Sequence, residues 1–315
     1  MTQKIILGTG LTITALTFAS LAGQFYWALD VLTHFTIQFA LLLLLCLIAG
    51  AAARVNWRYL LVMVVGLVPN LVILYPYYLP SAPAQAAPGT DAMTLVSINV
   101  YAGNNDFEAI VDYVLENDPD LVLFTEARYE FIEHLEQSEF ATAYPHVYAE
   151  PSRWTRGLMF ASKTPFTSAE TIYTTERSRF LSVVMDWQGQ PVTFFSVHPL
   201  PPLNSRWTQS RNDVYTAYVE YVNAVETPLI MVGDFNAAPW SSPLRQLTAS
   251  TGLQPGAYGH GIRPTWFYLG VIQAPLDYML VSPEWDVVRY QTAGNVGSDH
   301  LPLVAAIRLR QNLSD

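Results

Sequence analysis

The segment Leu229-Ile230-Met231-Val232-Gly233-Asp234-Phe235-Asn236 decides how this chain is read. Four apolar residues predict a short buried strand, and Gly233-Asp234 marks its end. Asp234 and Asn236 lie two apart, so in an extended segment they share a face. A carboxylate and an amide are thereby presented together where a strand meets a loop. On either side of this segment stand His198 and the block Gly297-Ser298-Asp299-His300.

Moving outward, the pattern alternates helix and strand at first. Met93 to Asn99 predicts a strand ending in a polar residue. Phe107, Ile110, Val111, Val114 and Leu115 have helical spacing within 106–117, with Asp106 as cap and Glu108 in the first turn. A buried strand over 120–124 leads to Glu126, and 129–138 reads as helix. Strand-like runs then dominate, at 157–162, 180–187 and 191–197. A helix is predicted over 208–225, and another opens at Ser242-Pro243 with Ser242 as cap. Strands over 276–282, 285–290 and 301–308 end the chain. This succession fits a mixed pair of sheets covered by helices. Asn99, Glu126, His198, Asp234, Asn236, Asp277, Asp299 and His300 all fall at strand ends, where sites are commonly built on loops.

The first eighty residues have a different character. Three apolar runs, at about 5–23, 35–53 and 59–79, are each long enough as helix to span about 30 Å of hydrocarbon. Pro69-Asn70 predicts a kink in the third. Residues 1–80 hold three of the 16 Lys/Arg and one of the 26 Asp/Glu. The remainder therefore carries 13 bases and 25 acids, a net charge of −12. A domain this acidic repels polyanions at long range, which argues against a grip on long duplex DNA. The basic residues Lys4, Arg54 and Arg58 set the direction: N-terminus and 54–58 turn inside, C-terminal domain outside. Ser20-Leu21-Ala22 leaves open a cleaved signal peptide in place of the first span, with the domain on the same side. Residues 80–91 read as a Pro/Ala-rich linker between a membrane anchor (1–79) and a domain (92–315). The single cysteine, Cys46, lies in an apolar run and says nothing about the domain's redox compartment.

Six blocks occur in order: Ser97-Ile98-Asn99, Thr125-Glu126, Ser196-Val197-His198, Gly233-Asp234-Phe235-Asn236, Leu276-Asp277-Tyr278 and Gly297-Ser298-Asp299-His300. In this the chain resembles the endonuclease/exonuclease/phosphatase (DNase I-like) superfamily over about residues 93–310. With its apolar N-terminus it is similar to the membrane-anchored bacterial YafD-type branch. The resemblance implies an α+β protein, a four-layer α/β/β/α sandwich preceded by three transmembrane helices. It also implies a Mg²⁺-dependent phosphoester hydrolase, with Mn²⁺ or Ca²⁺ as possible substitutes.

The same resemblance implies the roles. Glu126 is the leading metal ligand, with Asn99 beside it and Asp299 completing the site or positioning a metal-bound water. Asp234 orients the attacking water and Asn236 holds a phosphoryl oxygen. His198 donates to a phosphate oxygen or the leaving group. His300 faces the scissile phosphate and Asp277 orients it. Whether Asp234 or His300 is the base stays open. Arg206, Arg211 and, more weakly, Arg156 are candidates for an anionic headgroup or second phosphate, or for surface ion pairs. Thr265-Trp266-Phe267-Tyr268 either walls the site or packs in the core; His134, His146 and His260 read as bland positions. The expected partners are membrane lipids and a phosphoester substrate; oligomeric state is not legible. An envelope nuclease is the first alternative, and a non-catalytic binding or scaffold protein the second.

Overall fold

In a computed structural model that describes residues 2–79, 91–175, 178–268 and 272–310, the apolar N-terminal runs are helices. They are α1 (Thr2–Leu21), α2 (Trp27–Val31), a 3₁₀ turn over Leu32–Phe35, α3 (Thr36–Ala52) and α4 (Trp57–Tyr78). Three helical stretches are long and apolar enough to cross a membrane. They pack through Ile13, Phe39, Leu43, Cys46 and Met63. Pro69 does not end α4, which runs on to Tyr78. Beside it, Asn70 Nδ2 donates to Gly66 O (2.9 Å) and to Thr17 Oγ1 of α1 (3.0 Å), a polar tie between helices. Ile13 and Thr17 of α1 are buried in the bundle. The linker lies outside the described residues except for Asp91.

The rest of the chain runs β1 (Met93–Asn99), α5 (Glu108–Asn117), β2 (Leu121–Thr125), α6 (Tyr129–Glu136), α7 (Phe140–Ala143), β3 (His146–Glu150), β4 (Leu158–Ser162), β5 (Phe166–Thr175), β6 (Ser178–Trp187) and β7 (Gln190–Val197). It continues with α8 (Ser205–Asn223), β8 (Leu229–Asp234), α9 (Ser242–Thr251), β9 (Gln254–Pro255), β10 (Trp266–Tyr268), β11 (Ile272–Ala274), β12 (Asp277–Val281), β13 (Trp285–Thr292) and β14 (Leu303–Leu309). One sheet has the order β13-β14-β1-β2-β4-β3 and the other β5-β6-β7-β8-β12-β9. A core including Leu95, Leu123, Phe160, Val183, Phe194 and Met231 joins the two sheets. A second core under α5, α6 and α7 covers the outer face of the first sheet. Val214, Tyr215, Tyr218, Leu244 and Leu247 cover the second sheet with α8 and α9. The layers are therefore α/β/β/α, as the resemblance implies.

Each sheet holds one parallel pair, β1 with β2 and β7 with β8. Parallel neighbours need a crossover, and α5 and α8 supply it. Both units thus deliver two strand ends to the same edge: Asn99 with Glu126, and His198 with Asp234. β12 then pairs antiparallel to β8 with Asp277 opposite Asp234. Gly233 is required where β8 meets β7: its φ is +139°, and a Cβ there would sit 2.2 Å from Val197 O.

Two expected caps differ. α5 begins after Phe107 without a side-chain cap, because Asp106 is turned into a loop where Asn104 Oδ1 accepts its N–H. Ser242 does not cap α9; its N–H donates to Asp30 Oδ1, an acceptor from the N-terminal helices (2.9 Å). β3 and β5 were not anticipated, since half-exposed strands such as His146–Glu150 lack a buried apolar run.

The helical bundle is docked on the sandwich. Leu74 and Tyr77 of α4 join the main core, and Tyr77 packs edge-on against Trp240 and Tyr258. Gly259 and Gly261 donate backbone N–H groups to Pro76 O and Tyr77 O. Trp240 Nε1 donates to Thr33 O at 2.7 Å. All these contacts come from the ends of helices on one side of the bundle, away from the 54–58 turn.

Candidate active site

The strand ends named above converge. Asp234 accepts from Asn236 N–H on Oδ1 (2.7 Å) and from Asn99 Nδ2 on Oδ2 (3.2 Å). Asn99 Nδ2 also reaches Glu126 Oε1 at 3.5 Å, and Ala102 N–H donates to Glu126 Oε2 at 2.7 Å. His198 Nε2 stands 3.7 Å from both Glu126 Oε1 and Asp234 Oδ2. His300 Nδ1 is 2.6 Å from Asp277 Oδ2, and its Nε2 is 3.9 Å from Asp234 Oδ2. The short bond to Asp277 places a proton on Nδ1 and turns Nε2 toward the site.

The frame behind these groups is built from buried polar atoms. Thr265 Oγ1 accepts the N–H groups of Leu276 and Asp277, fixing the start of β12. Ser298 Oγ donates to Asn99 O and accepts from His300 N–H, which ties the Ser-Asp-His block to β1. Three successive carbonyls after β8 are held by side chains: Phe235 O by Tyr215, Asn236 O by Arg211, and Ala237 O by Tyr278. Glu126 and Asn236 have φ of +59° and +50°. Non-glycine residues take that conformation at a cost of about 1–2 kcal/mol and persist where surroundings over-determine them.

Charge follows from burial. Burial, and then the Asp277 carboxylate, raise Asp234 above the usual carboxylate range. Burial lowers His198, partly offset by Glu126, so it is neutral at pH 7. Burial would lower His300 too, but Asp277, Asp234 and Asp299 outweigh it and hold its pKa at about 10. Burial and the neighbouring Asp277 carboxylate make a negative charge on Asp234 costly without a counter-charge. Asp277 Oδ1 is also buried without a hydrogen-bond partner. The site therefore fits a divalent cation. Asp234, Asp277 and His300 bring ligand-type atoms within 4.8 Å of one another. The Asp277–His300 bond commits that pair to each other, so Glu126 and Asp234 are the better oxygen donors for a hard cation.

Some expected residues take other places. The Asn99 amide meets the carboxylates through nitrogen, and its oxygen accepts Tyr101 N–H (2.9 Å). Its nitrogen spaces the Glu126 and Asp234 carboxylates. Asp299 is exposed beside the cluster, within electrostatic reach of His300 and Glu126. Arg206 and Arg156 are exposed. Arg211 departs from its expected role: it is 0% exposed and paired with Asp30 at 3.0 Å, so it meets no substrate phosphate. Asp30 was not anticipated as a functional residue. It is the lone acid among the first eighty residues, and an isolated charge in an apolar stretch is the signal that marks it.

A sandwich with carboxylates, amides and histidines gathered at one sheet edge is the arrangement of metal-dependent phosphoesterases and nucleases. The family model described as endonuclease/exonuclease/phosphatase matches residues 96–300, and the chain belongs to that family. Among solved structures it is similar to TDP2 of D. rerio complexed with single strand DNA product (16% identity, TM-score 0.59, covering 69% of this chain and 98% of that one). It is also similar to an endonuclease/exonuclease/phosphatase from Beutenbergia cavernae (18%, TM-score 0.59, 70% and 72%) and an AP endonuclease from Archaeoglobus fulgidus (16%, TM-score 0.56, 68% and 98%). At these identities the likeness shows the fold alone. No curated protein matches by sequence.

Proposed function

We propose that this protein is a membrane-anchored, Mg²⁺-dependent phosphoester hydrolase whose domain works outside the cytoplasm on a lipid headgroup or another small phosphoester. The observation that carries the reading is the meeting of Glu126 and Asp234 with the His300–Asp277 pair at one sheet edge. A bound divalent cation would polarise a phosphoryl oxygen and offset developing charge. Asp234, oriented by Asn236 N–H and Asn99, positions the attacking water and takes its proton. His300, protonated at neutral pH, meets charge on the phosphoryl group through Nε2–H. Neutral His198 donates from Nε2 to a phosphoryl oxygen or the leaving group. Asn236 donates one amide hydrogen to Pro199 O (3.0 Å) and keeps the other for substrate.

The anchor supports the location. Lys4, Arg54 and Arg58 lie at the opposite ends of the helices from those that touch the sandwich, which under the positive-inside rule leaves the domain outside. Docking holds the site close to the bilayer, favouring substrates at that surface. Two structural neighbours, TDP2 complexed with single strand DNA product and an AP endonuclease, keep a nuclease in the test. The net charge of −12 on the domain side speaks against duplex DNA.

The test uses full-length protein with vesicle phospholipid and with supercoiled plasmid, each in Mg²⁺ and in EDTA. Mg²⁺-dependent phosphate or headgroup release from vesicles is the expected result. Rapid plasmid nicking with no lipid turnover would replace the lipid reading by the nuclease one.

A further inference from the structure

We propose that Asp30, in α2 at the start of the second helical stretch able to cross a membrane, is a positioning residue for the hydrolytic site, acting through Arg211 on the backbone of Asn236. The inference rests on the hydrolase reading of that site.

The path is three hydrogen bonds long. Asp30 Oδ2 accepts from Arg211 Nη2 at 3.0 Å. Arg211 Nη1 donates to Asn236 O at 3.0 Å. Asn236 N–H donates to Asp234 Oδ1 at 2.7 Å. Arg211 has no exposed surface and gives two further donors, on Nε and Nη2, to the adjacent Asn212 Oδ1 (3.2 and 3.1 Å). A buried guanidinium stays where its counter-charge is, because leaving it unpaired is heavily penalised. Asp30 therefore sets the position of Arg211, and Arg211 sets the direction of the Asn236 carbonyl. Asn236 sits in the left-handed region, so its peptide orientation is not the backbone's default and needs holding. Asn236 links the two sides: its carbonyl is held by Arg211, while its N–H, in the preceding peptide, orients Asp234.

Asp30 also accepts Ser242 N–H on Oδ1, while Thr33 O accepts from Trp240 Nε1. The loop from Asn236 to Ser242 is thus held directly by the anchor near its Ser242 end and, through Arg211, at its Asn236 end. The bland alternative is a docking salt bridge that only keeps anchor and domain together. The two differ in what an apolar replacement of the pair does. Removing both charges relieves the desolvation problem and restores folding, but it leaves Asn236 O without its donor.

The experiment uses full-length protein in detergent micelles, with bis(p-nitrophenyl) phosphate and Mg²⁺ as probe. The variants are Asp30→Leu, Arg211→Met, the double variant, Trp240→Phe and Asp234→Ala. Two readouts are taken: kcat with KM, and Mn²⁺ binding without substrate. The double variant is expected to keep a melting temperature near wild type, to lose at least ~10-fold in kcat with KM little changed, and to bind Mn²⁺ several-fold more weakly. Trp240→Phe removes the hydrogen bond to Thr33 O, an anchor contact apart from Asp30, and is expected to keep kcat. A folded double variant with wild-type kcat and Mn²⁺ affinity overturns the positioning role while leaving the hydrolytic site intact. Loss of kcat in Trp240→Phe to the same extent makes docking, not Asp30, the cause. Asp234→Ala as active as wild type instead removes the hydrolytic site itself, and the positioning role with it.

Discussion

Asp277 and His300 form the shortest contact between two side chains in the site, and their partnership makes His300 a cation at neutral pH. Asp277→Asn removes the carboxylate that outweighs burial. The alkaline limb of the pH–rate profile is then expected to move down from near 10 by at least ~1 unit, which initial rates across pH 6–11 would reveal. The same groups bear on stability. The folded pKa of His300 lies above the ordinary value near 6.5, so its contribution is complete below about pH 6.5 and is lost as pH rises toward 10. Asp234 is raised as well, and a folded carboxylic acid that holds its proton longer than the unfolded one acts in the same direction. Metal-free protein is expected to lose stability with rising pH, at up to about 1.4 kcal/mol per pH unit for each linked proton. Mg²⁺, by neutralising the carboxylates, should flatten that slope. Thermal melts from pH 6 to 9 with EDTA and with Mg²⁺ test this; parallel curves would contradict it.

At the scale of elements, the two βαβ units explain why four site residues far apart in sequence share one edge. Their strands were readable because each is a nearly continuous buried apolar run, such as Leu121–Thr125 and Leu229–Asp234. Half-exposed β3 and β5 carry no such signal. The residues that end the buried strands were legible as candidates for the same reason: a polar group following an apolar run stands out. The supporting atoms did not. Tyr215 and Tyr278 read as ordinary core aromatics, and their hydroxyl bonds to Phe235 O and Ala237 O exist only once α8 and β12 flank the loop. Arg211 looked like a surface cation because its counter-charge lies 181 residues away. Gly233 is the element-scale hinge of this arrangement. Gly233→Ala forces a Cβ against Val197 O and is expected to destabilise the protein by about 2 kcal/mol or more. Chemical denaturation beside wild type checks it, and an unchanged midpoint would refute the close approach.

At the scale of the molecule, the N-terminal helices and the sandwich share a core and a buried ion pair, so these helices are part of the domain's packing. The apolar runs of the first eighty residues read correctly as three helices able to span a membrane. It did not reveal that they dock, because the docking contacts are single residues such as Tyr77 and Asp30 in otherwise apolar stretches. A fragment starting near residue 91 would leave Arg211 buried without Asp30. Breaking one side of such a pair costs about 3–5 kcal/mol, so the isolated domain is expected to melt well below the full-length chain. Equal melting temperatures would show the docking to be without energetic weight. A phosphatase reporter fused after Asp315 is expected to be active, as an outside domain requires. The claim beneath all of these is that the strand-end cluster hydrolyses phosphoesters with a divalent cation. Its most direct test is the rate of bis(p-nitrophenyl) phosphate hydrolysis by the full-length protein, wild type and Asp234→Ala, in Mg²⁺ and in EDTA. The account predicts Mg²⁺-dependent turnover that falls by at least ~10²-fold in Asp234→Ala; a rate unchanged by the substitution or by EDTA would contradict it.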